Sequence, residues 1–430
     1  MGILTIQGDG RMPKRVMEDH AMPAIVDFPT VVAEALGEFA DLFANEPARR
    51  HLAEYLTGLI VADRKNVASI NRQFAQTTDQ SCLNRWLTEA DWDAEALNRR
   101  RLDWLQRDPS TRYSAQGVIA IDNVLVDHDG KLIEDVGWFW DHAEQRYKVA
   151  HDYLIANYVC TPGSGGKHYP LEFRRFVQRE RCAERGKTFV DHNVLFRELV
   201  DWVIDSQIPG DFTFDSWFTH AANLNHIHGR ERGYVGDLKF NRKVIFKGQT
   251  LKAEEVAALI KPEDRKPVEI DGKKQWYFTK SIRIDGVDHR VRIVILWERH
   301  NSKSARKILI TNQTHWEVGR ILRVYRQRWR GTECFHRDGK QHVGMGDCQL
   351  RNGRGQTRHM HLVFLAHSVL TRQLRCGRAR AWALERLTTI GQACRAVMRQ
   401  TLSRTIDWVI ARVRDDGWNS RKIKAHLALM

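Results

Sequence analysis

A short apolar segment, GVIAIDNVLV at residues 117–126, carries a single carboxylate, Asp122, in its middle. The β-branched residues of this segment predict a strand of a sheet. A carboxylate inside an apolar strand is costly to bury unless it is paired with a cation or binds a metal ion. Exposure at the strand end, or pairing with an arginine, explains Asp122 about as well as metal binding does. Any fold for this chain must account for Asp122.

The segments around this strand predict a mixed α/β fold rather than an all-β barrel. Apolar residues recur at helical spacing from Phe28 to Gln106, in a pattern of about four short helices, and again from Val318 to the end. Between these regions, Asp-Gly turns separate short β-branched runs. The predicted elements between the helical regions are strands at 117–126, 137–140, 149–159, 212–214 and 307–311, a helix at 193–206, and a two-hairpin pattern whose β-rich runs include 275–284 and 289–297.

The charge of the chain is unevenly distributed. The net charge is +15, and residues 301–430 alone contain 26 Lys and Arg against 8 Asp and Glu. A positive field of this strength on one third of a protein favours a polyanionic partner such as nucleic acid. The longest apolar run, 361–370, is about half of the roughly 20 residues that cross a bilayer, so we expect no membrane segment.

The cysteines and the N-terminus predict a cytoplasmic location. The seven cysteines are scattered and form no CxxC, which argues against a disulfide framework or a zinc module. The N-terminus lacks the apolar stretch and cleavage site of a signal peptide. Residues 1–27 show no periodicity, and we expect them to form a flexible leader.

Three acids stand in informative places: Asp122, Asp215 after the strand at 212–214, and Glu333 in a basic helix. Their wide separation in the chain means that only tertiary folding could bring them together. Three carboxylates can hold two hard cations and leave positions for a phosphate oxygen and an attacking water. An isolated Glu on a basic helix is more often a salt-bridge partner. The acids therefore suggest phosphoryl transfer without requiring it.

The sequence around these acids resembles a known family. The segment YRQRWRGTECFHRDGKQHVGMGDCQLR (325–351) resembles the glutamate region of bacterial insertion-sequence transposases of the DDE superfamily, in the branch with a Tyr-Arg-Glu-Lys signature. IAIDN around Asp122 and FTFDSWF around Asp215 resemble the first and second aspartate motifs of that family. Further similar segments are GWFWDHAEQRY (137–147), GGKHYPLEFR (165–174) and RKNVASINRQF (64–74).

The resemblance implies an RNase H-like catalytic core with a β-rich insertion, flanked by helical N-terminal and C-terminal regions. It also implies that Asp122, Asp215 and Glu333 bind Mg²⁺, or Mn²⁺ in its place, in a two-metal site. The implied organisation is a leader (1–27), a helical DNA-binding region (28–110), the core in two parts (111–232 and 301–375), a β-rich insertion (233–300) and a basic helical region (376–430).

The resemblance further implies that residues near Glu333 contact DNA. The predicted contacts are Tyr325, Arg328, Arg330, His336, Arg337 and Lys340. Relatives usually place the arginine four positions before the glutamate, whereas Arg328 is five before Glu333, so Arg326, Arg328 and Arg330 all remain candidates. The position after Asp122, often acidic in relatives, is Asn123.

The implied activity is cut-and-paste transposition. The implied partners are double-stranded DNA, as terminal inverted repeats and target, and a second copy of the chain in a homodimer or larger synaptic assembly. Such a protein would associate with the bacterial nucleoid. The alternatives are a catalytically inactive DNA-binding protein derived from a transposase, and a nuclease such as a junction resolvase.

Three weaker signals have ordinary explanations. The glycine-rich segment 162–168 lacks the ending of a phosphate-binding loop. The aromatic residues Trp276, Tyr277 and Trp297 fit core packing better than base stacking. Histidines in HIHGR (226 and 228) and HMHLVFLAH (359, 361 and 367) suggest zinc only faintly, and those at 359 and 361 fit phosphate contacts or caps near a helix start.

Overall fold

The computed structural model describes residues 24–161, 167–374 and 380–427. Most of the predicted leader, and residues 162–166 of the glycine-rich segment, lie outside the described residues. The α-helices of the described residues are α1 (Thr30–Phe39), α2 (Glu46–Val61), α3 (Val67–Asn71), α4 (Gln80–Thr88), α5 (Ala94–Gln106), α6 (Arg179–Glu184), α7 (His192–Asp205), α8 (Ala221–Gly229), α9 (Ala253–Leu259), α10 (Val318–Trp329), α11 (Phe335–His342), α12 (Gly353–Gln373), α13 (Ile390–Asp416) and α14 (Ser420–His426).

The strands alternate with these helices in the middle of the chain. They are β1 (Val118–Asp127), β2 (Gly137–Asp141), β3 (Arg146–Val159), β4 (His168–Phe176), β5 (Asp211–Phe214), β6 (Tyr234–Asp237), β7 (Lys243–Phe246), β8 (Gln249–Lys252), β9 (Lys266–Ile270), β10 (Lys273–Ile282), β11 (Val291–Trp297) and β12 (Lys307–Thr311). The predicted strand at 307–311 and the predicted helix at 193–206 are confirmed, the helix with bounds shifted by one residue.

One large sheet organises the protein. Its main path runs β2-β3-β1-β5-β6-β12-β11-β10-β9, and β4 pairs with β3 off this path. β1 pairs antiparallel with β3 and parallel with β5, and β5 is parallel to β6. The mixed sheet with helices on its faces confirms the predicted α/β, RNase H-like fold class.

The predicted β-rich segment 233–300 is continuous with this sheet. Its first strand, β6, pairs with β5, and β12, which follows the segment, pairs with β6 on one side and with β11 on the other. Within the segment, only β7 and β8 form a separate two-stranded sheet. Strands β9, β10 and β11 therefore extend the sheet. The division of the chain into domains stays a prediction.

The two faces of β1 pack against different helices because its side chains alternate. Ile119 and Ile121 pack in a cluster with Phe196 and Leu199 of α7. Val118 packs on the opposite face in a cluster with Ile321 of α10. Asp122 shares the parity of Val118, and so it points toward the side of the sheet that α10 covers.

The N-terminal and C-terminal helices share a third apolar cluster, to which α1, α2, α12 and α13 all contribute. The run 361–370 lies inside α12 and is buried throughout. His359 and His361 are also buried in the middle of this helix, so the interpretation of these two histidines as surface phosphate contacts or caps is wrong. None of the helices in the described ranges is both long and apolar enough to span a membrane.

Candidate active site

Three aspartates lie side by side where the parallel pairing of β1, β5 and β6 ends: Asp122 in the middle of β1, Asp215 just after β5 and Asp237 at the end of β6. Ala120 of β1 pairs with Thr213 of β5, so two residues further on Asp122 comes level with Asp215. Phe214 of β5 pairs with Gly236 of β6, which brings Asp237 level with Asp215. Level residues on parallel strands point to the same face of a sheet. The carboxyl ends of parallel strands are the usual place for a ligand site in α/β proteins.

Asp122 is the most deeply buried of these acids, with 8% of its surface exposed. Burial, together with the negative charges of Asp215 and Glu333, raises the pKa of its carboxyl to about 7. The opposing contact is an ion pair in which Nη1 of Arg328 donates to Oδ2 of Asp122 at 2.8 Å. The cationic partner that a buried Asp122 needs is therefore Arg328, whereas Asp215 and Glu333 add negative charge around it.

Asp215 lies half-buried at the turn that follows β5. Its Oδ1 accepts a hydrogen bond of 2.9 Å from the backbone N–H of Trp217, which fixes the carboxylate at the strand end. Burial raises the pKa of Asp215, and the negative charge of Asp237 acts in the same direction. The carboxylates at this edge thus repel one another in the absence of a cation.

Glu333 lies on a π-turn, Arg330–Cys334, that joins α10 to α11 without a break. A π-turn hydrogen-bonds residues five apart instead of four, so it accommodates one extra residue in a helix. Arg328 and Glu333 are five residues apart, and both lie close enough to Asp122 for their charges to act on it. The π-turn therefore explains the unusual spacing before Glu333.

The π-turn sits directly on the sheet because residue 331 is glycine. A Cβ atom at Gly331 would lie 2.6 Å from Cβ of Ala120 and 2.9 Å from Cγ2 of Val159. These distances are shorter than van der Waals contact, so only glycine lets the helix approach β1 and β3 this closely. The close approach places Glu333 beside Asp122.

The three candidate arginines have different surroundings. Arg328 is the one that pairs with Asp122. Arg326 turns toward the β9–β10 hairpin, where Nη1 donates to Oδ2 of Asp271 at 2.6 Å. Arg330 is exposed on the π-turn. The geometry favours Arg328 as the arginine that acts together with the acids.

Asp237 is a fourth acid at this edge, and the sequence analysis did not find it. Lys307 donates to Oδ2 of Asp237 at 2.7 Å and to the hydroxyl of Tyr325 at 3.0 Å. Tyr325 in turn donates to the same oxygen of Asp237 at 3.4 Å. The signal was weak because Asp237 is the last residue of a strand of only four residues, with no motif around it. Its charge is already balanced by Lys307, unlike that of Asp215.

An aromatic residue beside Asp215 was also missed. Trp217 is 60% exposed, and Nζ of Lys239 lies 5.1 Å from the centre of its ring. By contrast, Trp297, one of the aromatic candidates for base stacking, is fully buried, as the preference for core packing predicts.

The remaining predicted DNA contacts lie on α11. Arg337 and Lys340 are exposed, and Lys340 faces the acidic side chains of Asp127 and Asp141 on the β-strand side. His336 is buried, and burial lowers its pKa to about 3, so its ring is neutral at pH 7. Its position does not favour the predicted phosphate contact, in contrast to those of Arg337 and Lys340.

The carboxylates at the strand ends fit a divalent cation. Mg²⁺ and Mn²⁺ prefer oxygen ligands, and Asp122, Asp215 and Glu333 offer only oxygen. The pKa values of Asp122 and Asp215 are raised because the acids are buried and close to other negative charges, and a cation bound among them would stabilise these charges. In the described residues, the ligand atoms of these three acids do not all lie within 4.8 Å of one another. Metal binding would draw them together.

Comparison with known families agrees with this geometry. A family described as DDE superfamily endonuclease matches residues 38–267, more than half of the chain. A second, described as transposase DDE domain, matches residues 190–369. No curated protein matches the chain. The two matches support a nuclease-type enzyme that acts on DNA as a transposase or endonuclease. The chain belongs to the DDE superfamily.

Proposed function

We propose that this protein is a cut-and-paste DNA transposase that cleaves DNA at the ends of an insertion sequence and joins them to target DNA. The observation that carries the proposal is the convergence of Asp122, Asp215 and Glu333, far apart in the chain, around one buried carboxylate. Holding three mutually repelling acids together costs free energy, which is expected of a working site rather than of one that has lost its activity.

In this proposal the acids would hold Mg²⁺, with Mn²⁺ as a substitute, as a two-metal site. Bound ions supply Lewis-acid activation of water and stabilisation of the leaving oxygen in phosphoryl transfer. Water attacks the scissile phosphorus, the bond to the 3′ oxygen breaks, and the element ends in a free 3′-OH. That hydroxyl then attacks a phosphodiester of the target, which releases a target 3′-OH.

Arg328 would have two successive roles. Without a metal ion, its guanidinium pairs with the Asp122 carboxylate and partly offsets the rise in the pKa of this buried acid. Once Asp122 is engaged by a cation, the planar guanidinium is available to hold the scissile phosphate with two N–H donors. Tyr325 lies next to it, with its ring centre 5.8 Å from the guanidinium carbon, and would orient it.

The surface around the acids suits a DNA strand. Arg330, Arg337 and Lys340 are exposed on the same continuous helix as Glu333 and would contact phosphates. Trp217, exposed beside Asp215, offers a face on which an unpaired base could stack. We further propose a homodimer or larger synaptic assembly, because two element ends have to be cut and joined together.

A cleavage assay tests this proposal. The full-length protein is incubated with a supercoiled plasmid that carries the DNA flanking its own gene, with Mg²⁺ or Mn²⁺. We expect wild type to cut at the element boundaries and Glu333→Gln to lose cutting. Glu317→Gln, which changes another exposed glutamate at the start of α10, is the matched control and should cut like wild type.

The outcomes separate the transposase from the inactive alternative. If wild type binds the ends in a salt-sensitive manner but does not cut them with either ion, the protein is a DNA-binding relative without catalysis. If Glu333→Gln cuts as well as wild type, Glu333 is not a metal ligand.

A further inference from the structure

A second group of side chains of the types that bind metal ions lies at α11, the continuation of the helix that carries Glu333. His168 begins β4, Asp338 lies on α11 and His367 lies on α12. One ligand atom from each side chain lies within 4.8 Å of the others. In the described ranges, no other group of three His, Cys, Asp or Glu side chains meets this distance. The acids Asp122, Asp215 and Glu333 (the strand-end acids) have no member in common with it.

His367 has the features of a prepared ligand. It is fully buried, and its ring packs edge-on against Phe335 with 5.0 Å between the ring centres. Its Nδ1 lies 3.3 Å from Oγ1 of Thr371. When Nδ1–H donates to that hydroxyl, the lone pair is on Nε2. Within the described structure, Nε2 is buried without a hydrogen-bond partner, which is a costly state for a polar atom unless it binds something.

Asp338 is a buried carboxylate with little to balance it. It is 8% exposed, and its hydrogen-bonding contacts are with the neighbouring Arg337 at 3.4 Å, the outer limit of hydrogen-bond length. Burial raises the pKa of this carboxyl. A buried acid beside two imidazoles is stabilised by a cation that all three can share.

We propose that His168, Asp338 and His367 form a second metal centre that binds a transition metal ion, with Zn²⁺ the best fit. Two nitrogen donors and one carboxylate suit Zn²⁺, whereas Mg²⁺ prefers oxygen donors alone. Donors around a tetrahedral zinc lie roughly 3.4 Å apart, given metal–donor distances of about 2.0–2.2 Å. The side chains would have to close by a small rotation, and water would complete the coordination.

Such a centre would help to fix the position of Glu333 through the helix that carries it. It would tie α11 to β4 on the sheet and to α12, and α11 continues directly from the π-turn. Only five positions separate Asp338 from Glu333. The role is structural, and the centre can exist whether or not the protein cuts DNA.

Metal retention tests this inference without reference to DNA cleavage. The full-length protein is stripped with a chelator, loaded with Zn²⁺ in the presence of millimolar Mg²⁺, dialysed and analysed for zinc. We expect wild type to retain one zinc per chain and to melt at a higher temperature when zinc is bound. Asp338→Asn and His367→Gln should bind zinc at least about tenfold more weakly, since even outer-shell partners matter by about 10–100-fold.

Two controls make the result specific. His361→Gln changes another buried histidine of α12, outside the cluster, and should retain zinc. Asp122→Asn removes a strand-end acid and should also retain zinc. If the zinc is lost in Asp122→Asn and kept in Asp338→Asn, it binds at the strand-end acids and the proposal is wrong.

A measurement on wild type avoids the risk that a variant misfolds. Co²⁺ in a four-coordinate site absorbs far more strongly in the visible region than hydrated Co²⁺. We expect such absorption when the stripped protein is titrated with Co²⁺, and its loss when one equivalent of Zn²⁺ follows. A wild-type protein that shows neither this absorption nor zinc retention overturns the proposal.

Discussion

Two contrasting groups of possible metal ligands lie along the helix that carries Glu333. The strand-end acids are all oxygen donors, are partly open to solvent and repel one another. The His168, Asp338 and His367 cluster mixes nitrogen with oxygen and is mostly buried. An open cluster of repelling acids suits a site that binds ions and substrate together, whereas a closed mixed cluster suits a structural ion. The contrast predicts that changes in the two groups will have different consequences.

The largest expected effect is on catalysis. Glu333→Gln should reduce cleavage at least about 100-fold, the scale on which single active-site electrostatic contacts act. Because Glu333 is exposed, the same change should alter stability by no more than about 0.5 kcal/mol. Single-turnover cleavage and thermal melting of the same preparation measure both. A Glu333→Gln protein that loses stability as well as activity would make Glu333 a structural residue.

The raised pKa of Asp122 should make the stability of the metal-free protein depend on pH. Because the pKa of Asp122 is raised to about 7 from an ordinary 3.8, the folded state binds its proton more tightly than the unfolded state. Metal-free wild type should therefore lose stability as pH rises from about 4 to about 7. The upper limit is about 4 kcal/mol, at about 1.4 kcal/mol per pKa unit.

Asp122→Asn removes this loss. Without metal, the melting temperature of the variant should rise relative to that of wild type as the pH increases from 4 to 7. At pH 8, Mg²⁺ should raise the melting temperature of wild type but not that of the variant. Melting curves in EDTA and in Mg²⁺ measure this. If the melting temperatures of the two proteins depend on pH in the same way, Asp122 is not the source of the loss of stability.

The close approach of the π-turn to β1 and β3 depends on Gly331. Gly331→Ala places a methyl group against Ala120 and Val159, which should cost about 1–3 kcal/mol of stability through overpacking. It should also lower cleavage, because Glu333 would move away from Asp122. Gly319→Ala, on α10 where the nearest atom to the added methyl is 3.4 Å away, is the control and should fold and cut normally. Equal behaviour of the two variants would contradict the tight contact.

The smallest effect is expected at Asp237. It lies level with Asp215, yet Lys307 and Tyr325 already satisfy it. Asp237→Asn should therefore lower cleavage by about tenfold or less, whereas Asp215→Asn should abolish it. The pair is compared at saturating Mg²⁺. If both variants are equally inactive, Asp237 is also a metal ligand, and the proposed ligand set of Asp122, Asp215 and Glu333 is incomplete.

Periodicity and turn residues were enough to predict the α/β class, and the family motifs singled out Asp122, Asp215 and Glu333. The strand at 307–311 was recognisable because it is a compact apolar run. What could not be predicted depends on pairing between distant segments. Residues 233–300 join the sheet through the pairing of β6 with β5 and through β12, which lies between β6 and β11, and no local sequence pattern predicts these pairings.

The same limit applies to individual side chains. The extra residue before Glu333 was visible in the sequence, but only the π-turn shows how the helix accommodates it. Asp237 carries no motif, and the family-like segment 165–174 does not mark His168 as a ligand. Both residues gain significance from neighbours that are remote in the chain. The burial of His336 follows from the packing of α11 and could not be read from a basic helix pattern.

The most direct test of the account is a crystal structure of the full-length protein with Mn²⁺, which is located by its anomalous scattering. We expect manganese between the carboxylates of Asp122, Asp215 and Glu333, with the Arg328–Asp122 ion pair loosened. Manganese held elsewhere, at a concentration that supports cleavage, would contradict the assignment of these three acids as the catalytic site.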